Sequence, residues 1–325
     1  MKRFKQLLIP LIAAVTLVLA AGCVEAANTT KAAKQGTFKQ IAASVNAAKV
    51  GWTALFKETA KEKIQCYKLV WGRSKGSLTG SSGNLTAKTN SYTITGLDSN
   101  SSYYAQLSCL VLDDKMNTTT YTKEVTLYTV PGKVTGFTSY DFLYTQKGLE
   151  IGWDEVPGTN PVTYQYEIYN TSGALLKSGS KSANALFMAS YKYYKQVTRL
   201  RVRATYRTPG GTVLQGEWSK TKSLVPQPIL KKSAKKYMID DNGKLKLAWT
   251  RVAGASKYRV YCSTSPNSGY KKIATVKQKK TNLITVTPKK TFKNNTDYYI
   301  RVVTVTKKDG KSIKRICMPI WRNIS

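Results

Sequence analysis

One tryptophan motif returns three times along the 325 residues: "VGWTALF" around Trp52, "IGWDEVPG" around Trp153 and "LAWTRVAG" around Trp249. After each comes an alternating aromatic-apolar run: "YKLVW" from Tyr67, "YEIYN" from Tyr166 and "YRVYC" from Tyr258. A turn follows, then a second alternating run: "YYAQLSC", "LRVRATY" and "YYIRVVTV". Self-similarity at a spacing of about 100 residues means one folding unit used three times. Alternation with a period of two residues means half-buried strands rather than helices. An abundance of Tyr, Thr, Ser and Val points the same way.

The third copy divides into about seven short strands. They run roughly over Lys235 to Ile239, Lys244 to Trp249, Lys257 to Ser263, Lys271 to Val276, Leu283 to Thr287, Tyr298 to Thr306 and Lys311 to Met318. Its connectors carry hairpin chemistry, with Asn-Gly in "DDNG" at Asp240 to Gly243 and Asp-Gly in "KDG" at Lys308 to Gly310. Both steps supply the positive backbone torsions that tight hairpins need. Strands this short and this regular predict a two-sheet sandwich.

The stretch "WTRVAGASKYRVY" resembles the second and third strands of a fibronectin type III domain, and "FKNNTDYYIRV" resembles its turn and sixth strand. Counting six residues on from Leu97 gives Tyr103, and from Phe292 gives Tyr298. These two resemble the tyrosine corner, whose hydroxyl bonds back to the preceding turn. In the second copy the alignment puts Thr198 at that corner. The resemblance implies an all-β chain of three tandem seven-stranded fibronectin type III-like, or immunoglobulin-like, β-sandwiches. Trp52, Trp153, Trp249, Tyr103 and Tyr298 are then structural. The expected domains are residues 28–130, 131–225 and 226–325, hinged at "TVPGKV" (Thr129 to Val134) and "LVPQPIL" (Leu224 to Leu230). Proline stiffens such links, and the expected arrangement is a monomeric string of beads.

Residues 1–27 read as a signal peptide. Lys2, Arg3 and Lys5 precede an apolar run from Leu7 to Ala21 that is too short for a membrane span. Two processing routes stand side by side. "LAAGC" ends at Cys23 and resembles a lipobox, which would lipidate that cysteine, while "VEA" fits ordinary cleavage after Ala26. Both export the chain, to the cell surface as a lipoprotein or to the medium. Export would allow disulfides among Cys66, Cys109, Cys262 and Cys317. Strand parity opposes the first pairing: if Tyr67 and Leu69 point inward, Cys66 points outward while Cys109 points inward.

The chain has no histidine. That removes Ser-His-Asp triads, Cys-His pairs and His-based metal sites. The tight acidic clusters, Asp113-Asp114, Asp154-Glu155 and Asp240-Asp241, are neighbours in sequence rather than carboxylates facing each other across a pocket. Asp is favoured in such turns for local hydrogen bonding. No catalytic residue, cofactor or metal site is expected, and no enzymatic activity.

Charge is the unusual property. Lys and Arg number 52 against 17 Asp and Glu, a net charge of +35. Residues 226–325 hold 24 of the basic residues and 4 of the acidic ones. Such a field attracts polyanions. The expected partners are anionic polysaccharide, wall polymer or lipid head groups, with a protein partner also open and nucleic acid ranked last because the chain is exported. Outward-facing Tyr299, Arg301, Arg259 and Tyr261, with Lys307, Lys308 and Lys311, form the expected binding patch. The bland reading of the same residues is cross-strand pairing on an exposed sheet. The function expected is surface binding or adhesion. The alternatives are a passive envelope spacer and, more remotely, an accessory protein of a carbohydrate-active enzyme.

Overall fold

The computed structural model describes residues 29–138, 140–143, 147–229, 243–293, 296–308, 311–316 and 320–322. Among them there is no helix. Cys23 and the lysine run at Lys231 to Lys236 lie outside the described residues, as does the strand expected at Lys235 to Ile239. The chain groups into two compact units. The first takes in Met1–Gly132, Val156–Val162 and Ala204–Glu217; the second takes in Lys133–Glu155, Thr163–Arg203 and Trp218–Ser325.

In the first unit, β1 (Thr29–Ala32), β2 (Phe38–Ala43), β3 (Ala47–Trp52), β4 (Lys63–Ser74), β5 (Ser77–Thr86), β6 (Ser91–Thr95), β7 (Ser102–Leu112) and β8 (Thr118–Tyr128) make two sheets. Their orders are β2-β3-β6 and β1-β8-β7-β4-β5. β1 adds to β8 in parallel; the remaining pairings are antiparallel. Alternate residues of β4 and β7 (Tyr67, Leu69, Tyr103, Ala105, Leu107) meet Val50, Trp52 and Ile94 in one core. The longer segment between Trp52 and Tyr67 borders a cavity of about 690 Å³ lined by both of those residues with Phe56, Glu58, Ile64 and Lys88. Also in this unit, buried Asn100 donates its amide side chain to Asn160 O at 2.8 Å and accepts the Asn160 N–H at 3.0 Å.

Two further sheet pairs follow. β9 (Tyr140–Asp141), β10 (Leu149–Gly152), β11 (Thr163–Tyr169), β12 (Leu175–Lys181), β13 (Ala185–Met188), β14 (Thr198–Arg207), β15 (Val213–Gln215) and β16 (Lys222–Leu224) form β13-β10-β9 and β12-β11-β14, with β15 and β16 both against β14. β17 (Leu247–Thr250), β18 (Lys257–Ser263), β19 (Lys271–Lys277), β20 (Leu283–Val286), β21 (Tyr298–Lys308), β22 (Lys311–Ile316) and β23 (Ile320–Arg322) form β17-β20 and β19-β18-β21, with β22 and β23 both against β21. Among the described residues the three pairs share one two-sheet plan of the immunoglobulin-like kind, with two strands in the smaller sheet of the third pair where the others have three.

The repeated tryptophan explains why. Each fills its core against a tyrosine of the next strand: Trp52 on Tyr67 at 5.7 Å, Trp153 on Tyr164 at 5.5 Å and Trp249 on Tyr258 at 5.3 Å between ring centroids. Tilted and edge-to-face geometries of this kind add to the burial energy. In the second copy the partner is Tyr164, two residues before the Tyr166 that opens "YEIYN", and both tyrosines are buried. The tyrosine corners form. Tyr103 OH accepts the Asp98 N–H at 2.8 Å and Tyr298 OH accepts the Lys293 N–H at 3.1 Å. Where the second copy has Thr198, buried Tyr191 arrives from upstream and its hydroxyl meets Thr198 Oγ1 at 3.2 Å. Desolvation pushes that phenol up to about 12.

Within the second unit, the core around Trp249 also contains Val197 and Val225. The Val197 N–H donates to Ala253 O at 2.8 Å, and the Ala253 N–H donates to Lys195 O at 2.9 Å. Gly254 sits beside this contact at φ +78°, where a Cβ would lie 2.9 Å from Thr171 Cγ2. Residues 226–325 thus do not carry the whole of their own core.

Cys109 is a buried free thiol, pushed up to about 12 by desolvation. It lies opposite Tyr67 in the β4–β7 register while Cys66 lies opposite Leu110, so the two face opposite ways and are not joined to each other; Cys66 is itself disulfide-bonded. Cys262 is free and buried; Cys317 lies outside the described residues.

Candidate functional site

The sheet face expected to bind is built by alternation on β18 and β21. Tyr258, Val260, Tyr298, Ile300 and Val302 are buried in the core. The residues between them, Arg259, Tyr261, Tyr299 and Arg301, point the other way and are half-buried. The antiparallel register sets Tyr261 opposite Arg301, Ser263 opposite Tyr299 and Arg259 opposite Val303. Four of the seven expected patch residues are therefore brought together.

The lysines are not part of that group. Lys307 is exposed on the same strand, opposite Ser312, six residues beyond Arg301. At about 3.3 Å per residue this is roughly 20 Å away. Lys308 and Lys311 are paired at the hairpin end, and their side chains lie outside the described residues. Val303 and Val305 lie between the two groups on β21 and are 3% and 0% exposed, and the basic residues beside them, Arg259 and Lys257, come from β18. Sequence parity gave the direction of these side chains, and burial takes Val303 and Val305 out of the exposed surface.

Arg301 is the best-defined residue of the site. Its guanidinium carbon stands 3.7 Å from the centroid of the Tyr270 ring, and Nη2 donates to Pro266 O at 2.9 Å. Tyr270 OH donates to the same carbonyl at 2.8 Å. The loop carrying Tyr270 is folded locally, with Ser263 Oγ accepting the Ser265 N–H at 2.9 Å. Among the described residues the buried Arg301 Nε has no hydrogen-bond acceptor, and no described carboxylate lies within ion-pairing distance of the guanidinium. Tyr270 was not among the expected residues. Its only sequence signal is an aromatic between the turn residues of "SPNSG" and the lysines that open β19.

The same face of the second pair is wired differently. Arg201 Nε donates to Glu167 Oε2 at 2.7 Å and Arg201 Nη2 to Tyr169 OH at 2.8 Å, while Tyr169 OH donates to Glu167. Arg203 donates to Gln165 Oε1 at 2.8 Å. The Trp218 ring covers both guanidiniums, 4.4 Å from Arg201 and 4.6 Å from Arg203. Partial burial raises the Glu167 carboxyl, but hydrogen bonds from Tyr169 and Arg201 outweigh it and hold the group below the usual carboxylate range. On the first pair, Lys75 donates to Glu124 at 2.7 Å. Partial burial and a hydrogen bond to Glu124 together push the Tyr104 phenol up to about 12.

The acidic cluster at Asp113-Asp114 is turn structure. Asp113 Oδ1 accepts the Lys115 and Asn117 N–H groups at 2.9 and 2.8 Å, and Asp114 meets Lys61 at 3.9 Å on the surface. Among the described residues no helix is long and apolar enough to cross a membrane.

Neither family models nor curated proteins match the chain. Solved structures do. The FN1-FN3 domains of chicken CNTN1 align over 86% of this chain and 96% of that one, with 11% identity and a TM-score of 0.28. A two-domain fibronectin type III segment of chicken tenascin aligns over 58% and 95%, with 13% identity and a TM-score of 0.30.

Proposed function

We propose that the chain is a non-enzymatic, extracellular binding protein of three fibronectin type III-like modules, residues 28–130, 131–225 and 226–325. It acts as a monomer, and its third module meets an anionic polymer at the cell surface. The observation that carries this reading is Arg301, a half-buried guanidinium flanked by tyrosines and without a carboxylate partner among the described residues, on the segment with 24 basic and 4 acidic residues. Lysine supplies diffuse attraction around it. The test is binding of the mature full chain to anionic polysaccharide across a salt series. Affinity should fall steeply as salt rises, and no binding at low salt overturns the reading. The full chain is needed because Val197 and Val225 complete the third core. Mass spectrometry of the exported N-terminus separates the two anchoring routes: a lipid adduct on Cys23, or a start at Ala27.

A spacer role is the second reading, and the backbone pairing of Lys195 and Val197 with Ala253 favours it. It predicts no polymer binding at any salt concentration.

A further inference from the structure

Arg201 and Arg301 occupy one address in the repeated plan. Each stands three residues after the corner position, Thr198 in one copy and Tyr298 in the other. Across the sheet, Glu167 and Tyr261 also share an address, each three residues after the tyrosine that meets the core tryptophan, Tyr164 or Tyr258. Glu167 neutralises Arg201. Tyr261 faces Arg301 in register and brings no charge.

We propose that this substitution opens an anion site at Arg301, and that the ligand supplies the carboxylate which Glu167 supplies in the second module. The inference rests on the polymer-binding reading above and names its ligand: a uronate-bearing polysaccharide. The argument is chemical. Stacking on Tyr270 and the bond to Pro266 hold the guanidinium in place, so its remaining donors are fixed before a ligand arrives. A planar fork of donors fits a carboxylate in two-point contact. Three half-buried tyrosines surround it: Tyr261 opposite, Tyr270 beneath and Tyr299 two residues back on the same strand. Aromatic rings are surfaces on which a pyranose ring can lie, and a bare phosphate chain has no such face to offer. Arg259, which makes no hydrogen bond or ion pair among the described residues, adds a second cation on the neighbouring row.

Restoring the carboxylate in the protein should close the site. The mature full chain is titrated with polygalacturonate at low salt. Tyr261→Glu should weaken binding about tenfold or more, a change near 1.4 kcal/mol. Arg301→Gln should do the same without adding a carboxylate, which keeps the test sound if Tyr261→Glu folds poorly. Asn282→Glu, on an exposed loop, makes the same charge change as Tyr261→Glu and should cost less than about twofold. Equal losses in Tyr261→Glu and Asn282→Glu would mean that only net charge matters and would overturn the site while leaving polymer binding intact. Polyphosphate or anionic lipid vesicles that bind as tightly and respond identically to the variants overturn the uronate assignment. A wild-type chain that binds none of these overturns both readings together.

Discussion

The second and third sheet pairs present the same sheet face with the same arginine, and the two faces differ in how that arginine is paired. Arg201 is clamped by Glu167, Tyr169 and Trp218, with its side chain 35% exposed and that of Glu167 23% exposed. Arg301 has an aromatic floor and a backbone carbonyl, and no counter-charge among the described residues. The outer face of the first module is a looser version of the clamp: Lys75 and Glu124 pair with side chains 70% and 41% exposed, where screening leaves little net stabilisation. Counting basic residues would rank these faces by charge. Pairing ranks them differently, because a guanidinium already satisfied within the protein has little left for a ligand. One residue across the strand, Glu or Tyr, decides which kind of face is made.

The largest effect should come from removing the ring that covers two cations. Trp218→Ala strips the stack from Arg201 and Arg203 and is expected to destabilise the chain by about 2–3 kcal/mol. Tyr270→Ala uncovers one cation and should cost about 1 kcal/mol. Urea denaturation followed by far-ultraviolet circular dichroism measures both. Equal losses would erase the distinction between a structural clamp and a ligand platform. Glu167→Gln comes next, at about 1–2 kcal/mol, since it leaves a partly buried guanidinium without its carboxylate. Tyr261→Gln at the matching address should stay within about 0.5 kcal/mol.

How much of this could be read before the structure follows from what sets each feature. Trp52, Trp153 and Trp249 are legible because a large ring at a fixed spacing leaves few alternatives for the core, and the strand pattern around Tyr298 follows from period two. The corners at Tyr103 and Tyr298 were legible for the same reason. The second corner was not, because Tyr191 reaches it from seven residues upstream and no local pattern marks that path. At the candidate site, alternation placed Tyr299, Arg301, Arg259 and Tyr261 on one face. It could not show that Val303 and Val305 are buried on that face, since parity assigns a direction and not an exposure. Tyr270 and Trp218 were missed because each comes from a loop, where neither periodicity applies. The Glu167-to-Tyr261 exchange was present in the sequence throughout, but it became visible only once the core tyrosines fixed the register.

A smaller effect than the substitutions of Trp218 and Glu167 concerns acid, and it falls on one face and not on the other. The folded-state pKa of Glu167 is depressed, held down by Tyr169 and Arg201 against the opposing effect of burial. A depressed carboxylate contributes stability that is present above its unfolded value, about 4.3, and lost as the pH falls through the lower folded value. Exposure to solvent keeps this contribution under about 1 kcal/mol. Arg301 has no such partner among the described residues, so its strand should not share the loss. Amide hydrogen exchange at pH 5 and pH 3, corrected for intrinsic rates, reads the two strands separately. Protection at Arg201 and Val202 should decline relative to Arg301 and Val302, and Glu167→Gln should abolish that decline. A parallel decline on both strands would show that acid loosens the sandwiches generally, and that the carboxylate at Glu167 does not distinguish them.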